Sequence, residues 1–448
     1  MTLLLNANEV DTFPEFNEVK MRSFLLWIGC IWIANSPAGA QTLTVVKAGE
    51  LVDVESGQVL KNRLIFIRGE KIESVKAASW EIPAQANIID LSEYLVAPGL
   101  IDCHTHLVDN QSASPAGPLE KSEAEYAFAG VLNARRTLMA GFTTVRDVGT
   151  WRVFTDVALR NAINEGIVPG PRMQVAGTYI TTSSGSGDIT GIAYDIQLPP
   201  AFRFGIANSA DEVRKKVRQL LNGGADFIKI MATGAVLTSG TKPGVEEFSE
   251  DELRAAVQEA AKYGALVTAH AHGASGIKNA VRAGVHSIEH GSLLDQEGIA
   301  LMKKAGTYLV ADIYNGDYIA QAGQEEGWPE EYLRKNRETT EAQRMAFRKA
   351  AAAGVNIAYG TDSGVYPHGW NARQLPYMVQ YGMTAMQALQ SATIGAARLM
   401  GWSDKVGSIA AGKYADLIAI KGGKLDNLDQ FQAINFVMKG GEVVKSEP

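Results

Sequence analysis

Two pairs of histidines in this chain share the same spacing, and imidazole is a common metal ligand in proteins. His104 and His106 end one apolar, strand-like run, and His270 and His272 end another. Random placement of the chain's histidines predicts about 0.1 pairs at this spacing, fewer than the two observed. Alternate residues of a strand point to the same side, so each pair presents two imidazoles together. Metal binding is the first hypothesis, and packed structural histidines are the alternative.

The histidine pairs belong to a repeating pattern that covers residues 94–402. Apolar runs alternate there with amphipathic helical patterns, which predicts an α/β fold of the (β/α)₈ TIM barrel type. Capping boxes at Ser209, Ser249 and Thr384 predict the starts of three helices. The eight apolar runs are residues 95–106, 142–148, 173–180, 226–233, 266–272, 287–290, 308–314 and 356–362.

The two ends of the chain differ from this central region. Segments 41–93 and 403–448 contain short strand patterns separated by turns. Neither segment has enough strands for a stable core of its own. We therefore expect both ends to form one small β-sandwich, with the barrel inserted in it.

Residues with ligand chemistry recur at the carboxyl ends of the predicted barrel strands, where barrel enzymes place their active sites. Lys229 is the most unusual of them, because a bare ammonium is costly to bury in an apolar strand. Two interpretations follow: Lys229 pairs with a carboxylate such as Asp362, or it reacts with CO₂ to form a carbamate that bridges two metal ions. The residues at these strand ends are His104, His106, Lys229, His270, His272, His290 and Asp362.

The motifs that carry these residues resemble those of the metal-dependent amidohydrolase superfamily over nearly the whole mature length. The general motifs are PGLIDxHxH (98–106), GTD (360–362) and GSIxxGKxADL (407–417). Three others, KIMATG (229–234), AHAHG (269–273) and SIEHG (287–291), resemble the imidazolonepropionase-like branch. That branch includes Xaa-Pro and Xaa-Arg/Lys metallo-dipeptidases and ochratoxin-hydrolysing amidohydrolases.

The resemblance implies a centre for two divalent metal ions, and zinc suits a set of imidazole and carboxylate ligands. It also implies that Asp362 transfers the catalytic proton. His272 is the additional histidine, expected to contact the substrate or stabilise the oxyanion, with a supporting structural role as the alternative. The implied ligands are His104, His106 and Asp362 for one ion, His270 and His290 for the other, and carbamylated Lys229 as the bridge.

The expected reaction is hydrolysis of a C-terminal amide bond in a small peptide or an N-acyl amino acid, including ochratoxin-type amides. Two alternatives stay open: a cyclic-amide hydrolase of the imidazolonepropionase kind, and a non-catalytic scaffold, against which the complete ligand set argues. The long loop 181–205 is expected to form a wall or lid of the site. Further candidate substrate contacts are Val236, Tyr314, Tyr366 and His368.

The first forty residues predict export. Residues 23–34 form a short apolar run behind Arg22, and a small-residue cleavage site ends at Ala40, so a periplasmic or secreted enzyme is expected. Residues 1–20 do not fit a signal peptide, which favours Met21 as the start; lipidation of Cys30 is an alternative. The run is too short for a membrane anchor. A net charge of −7 argues against nucleic-acid binding, and we expect a homo-oligomer.

Overall fold

The computed structural model describes residues 42–447 apart from 110–113, 115 and 194. The predicted signal peptide and upstream extension therefore lie outside the described residues. In the described part of the chain, no helix has the length and apolar character needed to cross a membrane.

Strands from both chain ends join in one mixed sheet. Its members are β1 (Leu43–Asp53), β2 (Gln58–Arg68), β3 (Lys71–Ala77), β4 (Asn87–Pro98), β13 (Leu417–Lys421), β14 (Phe436–Lys439) and β15 (Glu442–Ser446). Among the described residues the strand order is β15-β14-β13-β4-β1-β2-β3. Strand β4 pairs antiparallel with β13, with Pro98 opposite Leu417, and this pairing connects the two ends. The expected sandwich-like domain from both termini is thus confirmed.

Parallel strands follow β4 and form the barrel. They are β5 (Leu100–Thr105), β6 (Phe142–Asp147), β7 (Arg172–Val175), β8 (Tyr179–Ile180), β9 (Ile228–Met231), β10 (Val267–Ala271), β11 (Ser287–His290) and β12 (Tyr308–Val310). Strands β7 and β8 are two halves of the third predicted strand: β7 pairs with β6, and β8 pairs with β9.

The eighth predicted strand is an irregular extended segment whose backbone closes the ring. On one side the Leu309 amide donates to the Asn356 carbonyl at 2.8 Å. On the other side the Asp362 amide donates to the His104 carbonyl at 2.8 Å. The predicted (β/α)₈ barrel is confirmed, with its last strand held by these bonds rather than by a regular ladder.

The helices begin largely where the capping signals predict. Ser249 and Thr384 form complete capping boxes, whereas at Ser209 the carboxylate of Glu212 accepts from the Asn208 amide instead. A π-helical turn, Ser391–Gly395, joins the last two helices, and 3₁₀ turns cover Gly117–Leu119, Pro200–Phe202, Asn371–Arg373 and Leu428–Gln432. The α-helices are α1 (Glu123–Met139), α2 (Thr155–Asn164), α3 (Ala210–Asn222), α4 (Glu250–Ala261), α5 (Ala274–Ala283), α6 (Gln296–Ala305), α7 (Asn315–Glu325), α8 (Glu330–Ala353), α9 (Gln374–Gln380), α10 (Ala385–Gln390) and α11 (Ala396–Leu399).

Candidate metal centre

The carboxyl ends of the barrel strands surround one cavity of about 960 Å³, a volume that includes the space open to solvent at its mouth. Parallel barrel strands all end at the same rim, so residues far apart in the chain meet there. All seven strand-end residues singled out from the sequence line the cavity: His104, His106, Lys229, His270, His272, His290 and Asp362.

His104, His106 and Asp362 form a first group able to hold a metal ion. The Nε2 atoms of His104 and His106 lie 3.3 and 3.2 Å from Asp362 Oδ1. Their Nδ1 atoms face other partners, Glu289 Oε2 at 2.8 Å and the Gly149 carbonyl at 2.7 Å. These outer partners orient the rings so that both Nε2 atoms face Asp362. Metal-ligating histidines are commonly oriented in this way, by a hydrogen bond on the other ring nitrogen.

Glu289 lies fully buried beneath His104 and is paired with a cation. Arg146 Nη2 donates to Glu289 Oε1 at 2.7 Å, and Arg146 Nε donates to the Cys103 carbonyl at 2.7 Å. Burial opposes ionisation of Glu289, but the Arg146 charge and the His104 hydrogen bond hold its pKa well below the ordinary value. An ionised Glu289 keeps a proton on His104 Nδ1 and leaves Nε2 available to a cation.

His270, His272 and His290 form a second group able to hold a metal ion. The ring centroids of His270 and His272 lie 4.5 and 4.7 Å from that of His290. His272 Nδ1 lies 2.8 Å from Ser292 Oγ, and His290 Nδ1 lies 2.9 Å from Asp312 Oδ1. His272 therefore lies as close to His290 as His270 does. The sequence predicts that His272 contacts the substrate or stabilises the oxyanion, with a supporting structural role as the alternative, and these roles stay predictions.

The protonation state of the second group suits a metal ion. Burial, together with the neighbouring histidines, lowers the pKa of His270 well below its ordinary value and that of His272 to about 3. Both imidazoles are therefore neutral at neutral pH, and neutral imidazole is the form that binds metals.

Two residues of the centre have unusual backbone conformations. His290 has φ 71° and Asp362 has φ 57°, in the left-handed region that non-glycine residues rarely adopt. Such conformations cost about 1–3 kcal/mol each and cluster at functional sites. The contacts of His290 with Asp312 and of Asp362 with His104 and His106 hold these side chains in place.

A polar connection between the two groups was missed from the sequence. Asn315 Nδ2 donates to Asp312 Oδ2 at 3.0 Å and to Asp362 Oδ2 at 3.1 Å. Gln343 Nε2 donates to Asp312 Oδ1 at 2.6 Å. Asp312 and Asp362 also form a third metal-capable group with His290. The available signal was that Asp312 lies within the seventh apolar run, 308–314, and follows strand β12 by two residues, close to the strand end where the other candidates occur.

Lys229 is buried at the base of the cavity, with 1% of its surface exposed. Burial lowers its pKa to about 8, which makes the neutral amine accessible near physiological pH. Among the described residues no carboxylate oxygen lies within 4.0 Å of Lys229 Nζ, so the alternative ion pair with Asp362 is not formed. A buried lysine with a lowered pKa that lines the cavity fits the carbamate hypothesis, which stays a prediction.

The candidate substrate contacts separate into two sets. Val236 lines the cavity, as expected. Tyr314, Tyr366 and His368 are not among the residues that line it in the described chain, and their contact with substrate stays a prediction. The rings of Tyr314 and Tyr366 pack on each other with centroids 5.1 Å apart, and the Tyr314 hydroxyl accepts from Arg373. Tyr366 and His368 are both buried, and desolvation lowers the pKa of His368 to about 4.

The predicted wall loop 181–205 contributes Ser186 to the cavity. Glu247 accepts hydrogen bonds from the Ser186 amide at 2.9 Å and from its hydroxyl at 2.9 Å. The same hydroxyl lies 2.9 Å from the Thr233 carbonyl, and Thr233 Oγ1 accepts from the His272 amide at 2.9 Å. The loop is thereby connected to the second histidine group.

A closed parallel barrel with histidine and aspartate groups around a buried lysine defines a barrel hydrolase with a metal-capable centre. The ligand atoms are imidazole nitrogens and carboxylate oxygens, which their outer partners orient, and this donor set fits divalent metal ions. Residues 95–445 match the Amidohydrolase family model, and the chain belongs to this family. The predicted superfamily is confirmed.

Particular relatives agree with this assignment. The chain is 31% identical to ochratoxinase of Aspergillus niger over 425 residues, which cover 90% of this chain and 87% of that protein. A solved Xaa-Pro dipeptidase with methionine bound in its active site is 38% identical, with a TM-score of 0.86 and coverage of 90% of this chain and 100% of that one. An imidazolonepropionase of Fusobacterium nucleatum is 25% identical over 401 residues, 83% of each chain. The protein is a hydrolase that acts on amide bonds.

Proposed function

We propose that this enzyme hydrolyses the C-terminal amide bond of small peptides or N-acyl amino acids at a centre of two metal ions. The observation that carries the proposal is the convergence of two histidine groups on one cavity, with Asp362 and His290 shared by a third group. The centroids of His104 and His290, one from each histidine group, lie 5.0 Å apart.

The metal ions have defined residues available to them. His104, His106 and Asp362 would hold one ion and His270 and His290 the other, with carbamylated Lys229 reaching both. Two divalent ions, with zinc favoured by these ligands, supply Lewis-acid polarisation of the scissile carbonyl and lower the pKa of water.

The protein's own groups move the protons. Asp362 accepts the proton of the attacking water and passes it to the nitrogen of the leaving amine. Asn315 holds Asp362 Oδ2 during this transfer, since its amide donates to that oxygen. When the Ser292 hydroxyl donates to His272 Nδ1, the proton of His272 lies on Nε2 and can stabilise the substrate oxyanion.

The substrate class is supported by the relatives. Ochratoxinase and the Xaa-Pro dipeptidase both match this chain over 90% of its length. The dipeptidase holds a free amino acid, methionine, in its active site. A free amino acid is the product that cleavage of a C-terminal amide releases, so a small peptide or N-acyl amino acid is preferred over a cyclic amide.

A substrate screen with metal analysis tests the proposal. Mature protein purified without chelator is expected to contain about two divalent ions per chain and to release amino acids from a panel of dipeptides and N-acyl amino acids. Activity on cyclic amides alone would replace the proposal with its alternative. Fully active enzyme without metal would contradict it.

Lys229→Ala tests the carbamate. This variant should lose activity and regain part of it when short carboxylic acids occupy the place of the carbamate. Full activity in Lys229→Ala without any added acid would remove the bridge from the proposal.

We also propose export and self-association. Amino-terminal sequencing of the protein from a native host should begin just after Ala40, and light scattering should give a mass above that of one chain. A mature protein that begins at Met21 or a monomer would contradict the respective proposal.

A further inference from the structure

A second buried lysine lies outside the metal centre, on helix α8. Only 1% of the Lys335 side chain is exposed. Its Nζ donates to the Thr238 carbonyl at 2.7 Å and to the Thr241 carbonyl at 3.2 Å, and it lies 3.2 Å from Glu331 Oε1. An ammonium has three donors, and these three acceptors use all of them.

Glu331 lies one helical turn before Lys335 and contacts the same segment of the chain. Its Oε1 accepts from the Gly240 amide at 2.9 Å, and its Oε2 accepts from the Ser239 hydroxyl at 3.2 Å. Lys335 and Glu331 therefore bind the four consecutive residues 238–241. We call residues 235–241, which follow strand β9, the apolar loop.

The apolar loop presents side chains to the cavity on its other side. Val236 and Leu237 are half-buried and line the cavity, and Ile319 of α7 also belongs to the lining. Thr238 lines the cavity as well, and its hydroxyl donates to the Ser186 carbonyl at 2.8 Å. The loop thus has its backbone bound to α8 while its apolar side chains face the space next to the metal centre.

The ring nitrogens of the metal-centre histidines have other partners. Their hydrogen bonds go to Glu289, Gly149, Tyr179, Gly234, Ser292 and Asp312, and none of them goes to residues 235–241 in the described chain. Thr238 connects to the His272 backbone only indirectly, through Ser186 and Thr233. Loss of the Lys335 ammonium would leave the Thr241 carbonyl without its donor and the Glu331 carboxylate without its cation, while the Thr238 carbonyl would keep the Thr241 hydroxyl as donor at 3.0 Å. A buried polar group that loses its partner costs free energy, which favours rearrangement of the loop. The rearrangement would then move the cavity wall and leave the metal ligands in place.

We propose that Lys335 is a positioning residue that sets the apolar loop, so that the enzyme selects substrates with an apolar side chain beside the scissile amide. The proposal rests on the proposed amide hydrolysis and names the substrate class of that site. Val236, Leu237 and Ile319 form the subsite for the apolar side chain.

Two N-acyl amino acids that share the acyl group and differ only in the released residue, leucine or glycine, test the proposal. The wild type should prefer the leucine compound by at least about 10-fold in kcat/KM, because the extra methylene groups enter an apolar subsite. Lys335→Met should reduce this preference about 10-fold through a higher KM for the leucine compound, with kcat and metal content unchanged. Arg334→Met, at an exposed position of the same helix, should leave the preference intact.

The outcomes separate the two proposals. If the wild type hydrolyses neither compound nor any other amide of the panel, the proposed function fails. If it hydrolyses both without preferring leucine, or if Lys335→Met keeps the preference, the positioning role is wrong while the function stands. If Lys335→Met does not fold, Leu237→Ala decides, because a partly exposed wall residue can be truncated without loss of the fold; an unchanged preference there overturns the proposal.

Discussion

The two histidine pairs have identical spacing and different surroundings. In the first pair, both imidazoles approach one oxygen of Asp362, and a buried carboxylate compensated by Arg146 orients His104. In the second pair, the hydroxyl of Ser292 contacts His272, and His270 Nε2 lies 3.4 Å from the Gly234 carbonyl, its one hydrogen-bond contact among the described residues. Equal spacing therefore does not imply equal roles, since the outer partners decide how strongly each ring is held.

The two pairs also differ in the charge beneath them. Glu289 under the first pair has a cation at 2.7 Å. Glu247 supports the second pair through Ser186 and Thr233, and no lysine or arginine of the described chain lies within 4.0 Å of it. The first pair is thus supported by an ion pair, whereas the second pair is supported by hydroxyl and backbone groups and by a carboxyl group without a cation.

Asp362→Asn should have the largest effect on turnover. Asp362 contacts both histidines of the first pair and is the proposed proton acceptor. The variant keeps the size and one ligand oxygen of Asp362 but cannot accept a proton, so turnover should fall by roughly 10²–10⁴ while most metal is retained. Asp312→Asn is the matched control, with an expected loss of about 10–100-fold as an outer partner of His290. Steady-state kinetics with metal analysis measure both. Similar turnover in Asp362→Asn and wild type would move the proton transfer to another group, with His272 the next candidate.

His272→Asn separates the roles open to the second pair. If His272 stabilises the oxyanion, kcat should fall by about 10²–10³ with the metal content unchanged. Loss of one metal ion per chain instead would make His272 a ligand and would remove the difference between the two pairs. The parallel variant Ser292→Ala should show the same pattern with a smaller loss.

Glu289→Gln tests the orientation of the first pair. The variant removes the charge that keeps the proton on His104 Nδ1, and outer-partner changes of this kind cost about 10–100-fold in metal affinity. Competition with a chromogenic chelator measures the affinity, and circular dichroism checks the fold because Arg146 loses its partner. Unchanged affinity would show that the carboxylate beneath His104 supports the barrel interior alone.

Glu247→Gln should give the smallest effect and a characteristic pH dependence. Burial raises the pKa of Glu247 to about 7 from its ordinary value of 4.5. A carboxyl with a raised pKa stabilises the folded state fully below pH 4.5, and this contribution is lost as pH rises through about 7. Between pH 5 and pH 8, the wild type should therefore lose about 1–3 kcal/mol more unfolding free energy than Glu247→Gln does. Urea denaturation measures it, with the exposed neighbour Glu246→Gln as control; equal pH slopes in variant and wild type would contradict the burial argument.

The barrel was predictable because its signals are local. An apolar run, a helix cap and an amphipathic stripe are each read within a few residues, and their repetition predicts the architecture. Even the irregular segment 356–362 was predicted as the last strand, although its closure depends on bonds to β12 and β5. The sharing of one sheet by both ends followed from the shortage of strands at each end.

The contacts of loop residues follow less directly from the sequence. Tyr314 and Tyr366 were proposed as aromatic residues of a substrate pocket, and in the structure their rings pack against each other with centroids 5.1 Å apart. A residue on a loop has no periodicity that sets its direction, so the packing of neighbouring loops determines what it contacts.

The strand-end residues of the candidate centre were evident from the amino-acid sequence alone, because strand alternation and barrel direction place them without knowledge of distant partners. Their division of roles required the folded chain. Glu289 lies 185 residues from His104, and Lys335 lies 97 residues from Thr238, yet each pair is hydrogen-bonded. No local pattern encodes such pairs, since ring closure and helix packing determine which buried charge meets which acceptor.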